Sequence, residues 1–244
     1  MPTRLTSSFQ DAVALAIQLH ADQTRKGTDI PYISHLLAVT AIVLEHGGNE
    51  EEAIAALLHD AVEDAGGSAT RAKIAGDFTE NVAAIIDGCT DDSPAAGRPK
   101  KPWRKRKEVY IAHIAKVSPS VLLVSAADKL HNARAIAADY SDLGEELWSR
   151  FNASRDDILW YYRALLEAFD DRLTALQGAE PEESDRYDDL YRLLNRLEET
   201  IEEIYLEVEI SETAALMEAE IGLLYDDERK LFESLIDVSR PGLT

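Results

Sequence analysis

Cysteine is nearly absent. Cys89 stands alone in 244 residues, so no internal disulfide can form and nothing asks for an oxidising compartment. No apolar run approaches the roughly 20 residues that span a bilayer, and the opening MPTRLTSSFQ lacks the apolar core of a secretory leader. Alternating apolar and polar residues, the mark of a half-buried strand, are missing throughout. The expectation is a soluble, cytoplasmic, all-α protein with no membrane partner.

Positive charge is also scarce. Against 46 acidic side chains there are 25 Lys and Arg, a formal net charge of −21. The imbalance is local: residues 1–140 carry a net of −3 and residues 141–244 a net of −18. Phosphate backbones and anionic membranes repel such a surface, which argues against nucleic acid as a partner.

What is present reads as helix. Phe9, Val13, Ala16, Ile17 and His20 form one stripe over residues 9–21, after Thr6, Ser7 and Ser8 as possible N-caps. Gly27 and Pro31 break the period, and the next helix ends at His46-Gly47-Gly48. Further helices are expected over 50–64, 69–89, 104–116, 120–140 and 147–176, with residues 91–102 as a loop. The polar stretch 177–185 marks a boundary: a domain over 1–177, then an acidic extension over 178–244 of unknown role. In the extension Leu190, Leu194, Leu197, Ile201, Ile204 and Val208 recur at steps of four and three, and a second striped stretch runs 214–238. Two amphipathic helices are expected there, either packed back on the first domain or offering a surface for a second copy.

Metal-ligand residue types gather in a few places. His35 follows Pro31-Tyr32-Ile33-Ser34, His59 and Asp60 precede Glu63 and Asp64 by one turn, and Asp128 lies one turn before Asn132. Residues at i and i+4 share a helix face, so His59 with Glu63 and Asp60 with Asp64 point together. Residues 53–58 before them are wholly apolar, and charged groups at the end of a buried helix are costly unless paired. A divalent ion would pair them, and imidazole with carboxylate suits manganese, iron or zinc. The remaining coordination positions would serve a water and a substrate oxygen, as in a metal hydrolase.

Three blocks carry a resemblance: Arg25-Lys26-Gly27 to Pro31-Tyr32-Ile33-Ser34-His35, Leu57-Leu58-His59-Asp60-Ala61-Val62-Glu63-Asp64, and Ala127-Asp128-Lys129-Leu130-His131-Asn132-Ala133-Arg134. Their order is similar to that in the HD superfamily of metal-dependent phosphohydrolases. Within it the chain resembles, over about residues 8–170, the hydrolase domain of RelA/SpoT proteins and the small alarmone hydrolases. The resemblance implies Mn2+ held by His35, His59, Asp60 and Asp128, with Glu63 and Asp64 activating water. It also implies Asn132 on the substrate sugar or phosphates, Arg25 stacked on the base, and Lys26 beside the phosphates. The implied reaction removes the 3′-pyrophosphate of guanosine tetra- or pentaphosphate, giving GDP or GTP.

The run from Arg98 to Lys107 packs seven positive charges into ten residues and reads as a funnel for a polyphosphate, with Lys107 the best single candidate. Trp160-Tyr161-Tyr162 offer rings, although core packing accounts for them as well. The chain departs from the family at Ser125-Ala126, where lysine and leucine are usual, and at Ala61, where threonine is common. Two other readings share these residues: a phosphohydrolase acting on NADPH or a nucleoside phosphate, and a non-enzymatic alarmone-binding protein.

Overall fold

Several helices start where a polar side chain can take up a loose N–H group. A computed structural model describes residues 3–91, 101–179 and 181–238, the side chains of Pro181 and of residues 222–238 excepted. Thr6 accepts from the Ser8 amide at 3.2 Å and opens α1 (Ser7–Leu19). α2 (Ile33–Glu45) closes at a turn where Gly47 has φ +77°, a conformation that favours glycine. Asn49 and Glu52 then form a reciprocal capping box at the start of α3 (Glu50–Leu58). Ser118 caps α8 (Pro119–Leu143), with Pro119 in the first turn where its missing N–H costs nothing.

α3 is the buried axis of this all-helical fold. Every residue from Ala53 to Leu58 is within 3 % of complete burial, and the helix packs against α1, α2, α8 and the helix Glu80–Cys89. Burying Ile54, Leu57 and Leu58 contributes about 1.5–3 kcal/mol each. The first half of α8 is equally enclosed, from Val121 to Asp128. Two buried helices thus deliver His59 and Asp128 to one place. No strand occurs among the described residues; an isolated bridge between Thr24 and Pro31 pins the loop between α1 and α2.

Several expected helices are interrupted. Residues 50–64 form α3 and a short α4 (Ala61–Asp64), because the chain tightens at His59-Asp60. Residues 69–89 divide into α5 (Ser68–Asp77) and α6 (Glu80–Cys89), where Phe78 leaves helical geometry and Thr79 accepts from the Val82 amide. α7 (Trp103–Ile114) packs on α9. In place of one helix over 147–176 there is a 3-10 helix, Gly144–Arg150, then α9 (Arg155–Ala179), started by Ser154 accepting from the Asp157 amide. Toward the C-terminus one helix, α10 (Ser184–Val238), replaces the two expected. No Gly or Pro interrupts 209–213, and Thr213 donates to the Glu209 carbonyl, so the helix continues.

The chain divides into two compact units, residues 1–202 and 203–244. Within the first, Tyr187, Leu190, Leu193, Leu194, Leu197 and Ile201 are all buried. The heptad stripe up to Ile201 therefore faces the core. Arg186 ties this segment to the buried Glu52 carboxylate and donates to Ser120 at 3.1 Å.

Candidate metal centre and active-site cleft

His35, at the start of α2, and His59, at the end of α3, turn their Nε2 atoms toward the same two carboxylates. His35 Nε2 lies 3.3 Å from Asp128 Oδ1 and 3.7 Å from Asp60 Oδ2; His59 Nε2 lies 3.6 Å and 3.1 Å from the same atoms. Ligand atoms of His35, His59 and Asp128 all fall within 4.8 Å of one another. The His59 Nδ1–H donates to the Ala56 carbonyl at 2.8 Å, which leaves Nε2 as the ring's remaining nitrogen. That Nε2 is buried and has no hydrogen-bond partner. An orphaned imidazole nitrogen facing two carboxylates is what a divalent cation would satisfy, and the N,O donor set fits manganese, iron or zinc. The residues present therefore fit a metal.

The charges are held in place from behind. The Tyr32 hydroxyl donates to Asp60 Oδ2 at 2.5 Å, Asn132 Nδ2 to Asp128 Oδ1 at 2.6 Å, and the Lys129 ammonium pairs with Asp128 Oδ2. Burial alone raises the Asp60 carboxyl, but His59 and His35 outweigh it and bring it below the carboxylate range. Asp128 is likewise opposed by burial and held well below its usual value by Lys129 and the two histidines. Burial lowers His35, whereas at His59 the two carboxylates overcome burial and raise it well above normal. Lys129 is raised against its burial by Asp128.

A cleft of about 250 Å³ opens onto this cluster. Among the described residues its wall holds four cations, Arg25, Arg106, Lys107 and Lys129, with Glu63, Asn132 and Tyr161 beside them. Arg25 donates to Asn132 Oδ1 at 2.8 Å and lies 5.8 Å from the Tyr32 ring centroid. Asp91 pairs with Lys107 at 2.6 Å and with Arg106 at 2.8 Å. Burial, with Lys129 and Arg106 nearby, pulls the Lys107 ammonium below its ordinary value.

Most of the residues singled out in the sequence come together here: His35, His59, Asp60, Asp128, Glu63, Arg25, Lys107 and Asn132. Two stand apart. Asp64 accepts from Gln23 Nε2 at 2.9 Å and Lys26 has its ammonium 5.9 Å from the Phe151 ring centroid; neither is among the residues lining the cleft. Of the basic run, residues 98–100 lie outside the described residues. Arg104 turns away to Asp157 and the face of Trp160, while Arg106 and Lys107 reach the cleft. Of the three aromatic residues at 160–162, Tyr161 lines it. Tyr32, Asp91, Lys129 and His131 had not been singled out. Tyr32, Lys129 and His131 stand inside the quoted blocks; Lys129 adjoins its partner Asp128, while Tyr32 lies three residues before His35 and His131 three after Asp128, and nearness to a ligand was the available signal. Asp91 had none, since its partner Lys107 lies 16 positions away, and nothing in the block pointed to His35 as the partner of His131, 96 positions away.

The HD domain family profile matches residues 12–159, which contain every residue of the cluster and the cleft wall except Tyr161. The chain belongs to the HD domain family. This HD domain protein is 39 % identical over 134 residues to a probable GTP pyrophosphokinase of Mycobacterium leprae, covering 54 % of this chain and 16 % of that one. It is 32 % identical over 142 residues to the human guanosine-3′,5′-bis(diphosphate) 3′-pyrophosphohydrolase, covering 57 % of this chain and 73 % of the human one. The match thus spans about a sixth of the long relatives and most of the human one. In structure, the HD domain protein is similar to a metazoan ortholog of SpoT that hydrolyses ppGpp, with TM-score 0.55 and 23 % identity over 84 % of this chain and 97 % of that. A crystal structure from Listeria monocytogenes matches with TM-score 0.52 and 28 % identity, over 70 % and 99 %.

Proposed function

We propose that the chain is a divalent-metal-dependent hydrolase that removes the 3′-pyrophosphate of guanosine tetra- and pentaphosphate, leaving GDP or GTP. The observation that carries this is the joining, in one cleft, of a two-histidine, two-carboxylate cluster with four cations. The name of the human relative supports the substrate.

His35, His59, Asp60 and Asp128 would hold the metal, which we take to be Mn2+. When bound, the ion supplies Lewis acidity toward a phosphoryl oxygen and makes water more acidic. Glu63, on the cleft wall, takes the proton from the attacking water, and Asp64, steadied by Gln23, supports it. Lys107 and Arg106 balance the phosphate charge from the cleft wall, with Lys26 adding to it from outside the cleft, and Asn132 fixes the sugar-phosphate end. The planar guanidinium of Arg25 covers the guanine face. Such fixed charges act most strongly where charge builds in the transition state.

We assign this chemistry to residues 1–177 and read 178–244 as an acidic extension. The net charge of −21 supports a protein that avoids nucleic acid, and the single cysteine is in keeping with a cytoplasmic one. Pairing of two copies through α10 is the oligomeric proposal, and light scattering at monomer mass would overturn it.

The deciding experiment incubates metal-stripped protein with guanosine tetraphosphate, NADPH and common nucleotides, with and without Mn2+, and resolves the products by anion exchange. Mn2+-dependent GDP and pyrophosphate, absent with Asp128→Ala, is the expected result. Survival of the tetraphosphate while another nucleotide is cut would overturn the substrate assignment.

A further inference from the structure

His35 and His131 meet through their Nδ1 atoms at 2.8 Å. Two bare nitrogens at that distance repel and two N–H groups collide, so one ring donates and the other accepts. The direction follows from the other side of His35. Its Nε2 faces Asp128 Oδ1 and Asp60 Oδ2, alongside His59 Nε2. A metal held there uses the Nε2 lone pair, so the single proton of neutral His35 belongs on Nδ1.

We propose that His131 is a positioning residue for the metal centre: its Nδ1 accepts the Nδ1–H of His35 and keeps the Nε2 lone pair of His35 aimed at the cluster. The inference rests on the proposed role of His35 as a metal ligand. His59 shows the same logic with a different partner, its Nδ1–H going to the Ala56 carbonyl at 2.8 Å. Outer partners of this kind fix the tautomer and ring orientation of a ligating histidine. Here α8 delivers both halves of the device, the carboxylate of Asp128 and, three residues on, the acceptor for His35. The rings of His35 and His131 are tilted at 51° with centroids 4.8 Å apart, while Tyr32 meets the His35 ring edge-to-face with centroids 5.4 Å apart. A neutral imidazole acceptor also orients His35 without adding a third negative charge to the pair already present.

The test measures Mn2+ affinity by calorimetry on the full chain, for wild type, His131→Phe and His131→Asn. Phenylalanine keeps a ring in the space and removes the acceptor. Asparagine places Oδ1 two bonds from Cβ, as Nδ1 is in histidine, and restores an acceptor. The expected result is a 10–100-fold loss of affinity for the phenylalanine variant, with the asparagine variant recovering most of it. Melting temperatures of the metal-free variants separate a folding defect from a lost acceptor, and a purely packing role would leave asparagine the worse of the two. Equal affinity in wild type and the phenylalanine variant would overturn the role of His131 alone. A wild-type chain that takes up no Mn2+ would overturn the metal reading first and this inference with it.

Discussion

The Arg25 guanidinium donates to Oδ1 of Asn132 at 2.8 Å, across 107 positions of chain. Asn132 passes the contact on, since its amide nitrogen donates to Asp128 at 2.6 Å. One side chain therefore couples the proposed base-binding arginine to the metal cluster. Arg25→Ala and Asn132→Ala should not add in kcat/KM: their double-mutant cycle should show a coupling of about 0.5–3 kcal/mol. Additive losses would mean that the two residues act separately.

Metal should also stabilise the fold, because His35, His59 and Asp128 are buried and no preformed partner replaces a cation at His59 Nε2. A ligand at one hundred times its dissociation constant contributes about 2.7 kcal/mol. For a chain of this size that is a rise in Tm of about 5–10 °C. Calorimetric scans with Mn2+ and after chelation would read it directly, and Asp128→Ala should show no rise.

Glu63 and Asp64 should separate when changed one at a time. Glu63 lines the cleft, whereas Asp64 is engaged by Gln23. Glu63→Gln should leave Mn2+ affinity within a few-fold and slow single-turnover cleavage by about 10²–10⁴. Asp64→Asn should cost less, and Gln23→Ala should resemble it. Full turnover by Glu63→Gln would remove Glu63 from the proton transfer.

Much of this centre was legible because its ligands fall in short blocks on apolar helices, where a histidine or carboxylate has no cheap reason to be. His59-Asp60 after six apolar residues is such a signal. The break that the same pair makes between α3 and α4 was not legible, because i,i+4 spacing continues through it while the backbone tightens. The break before α6 carried a local sign in Thr79, a good N-cap, but apolar residues on both sides masked it. Asp91 acts through partners that only the folded chain brings near, and His131, although one turn after Asp128, gave no sign of its partner His35, 96 positions away. In α10 the change of stripe near Ser211 suggested an end, but serine and threonine are tolerated mid-helix when they bond back to the preceding turn, as Thr213 does.

Cys89 offers a chemical probe of the cleft wall. Burial pushes its thiol up to about 11, against the smaller opposing effect of the Ser125 hydroxyl. At pH 8 only about one molecule in a thousand carries the thiolate, the reactive form. Iodoacetamide should therefore label Cys89 about a hundredfold more slowly than an unhindered thiol, with the rate rising about tenfold per pH unit up to pH 10. With one cysteine in the chain, the mass of the intact protein reports the yield. A plateau below pH 9 would contradict the raised value.

Glu52 closes the cap of α3 and is almost wholly buried, yet its counter-ion is Arg186, 134 positions later. During synthesis at about 5–20 residues per second, the helix that carries His59 leaves the ribosome on the order of ten seconds before the arginine that neutralises its cap. For that interval the carboxylate has the Asn49 amide and water as partners but no cation. The buried charge that caps the helix bearing the proposed metal-binding His59 is therefore neutralised only once the start of α10 has been made, and the order of translation runs opposite to the order of support.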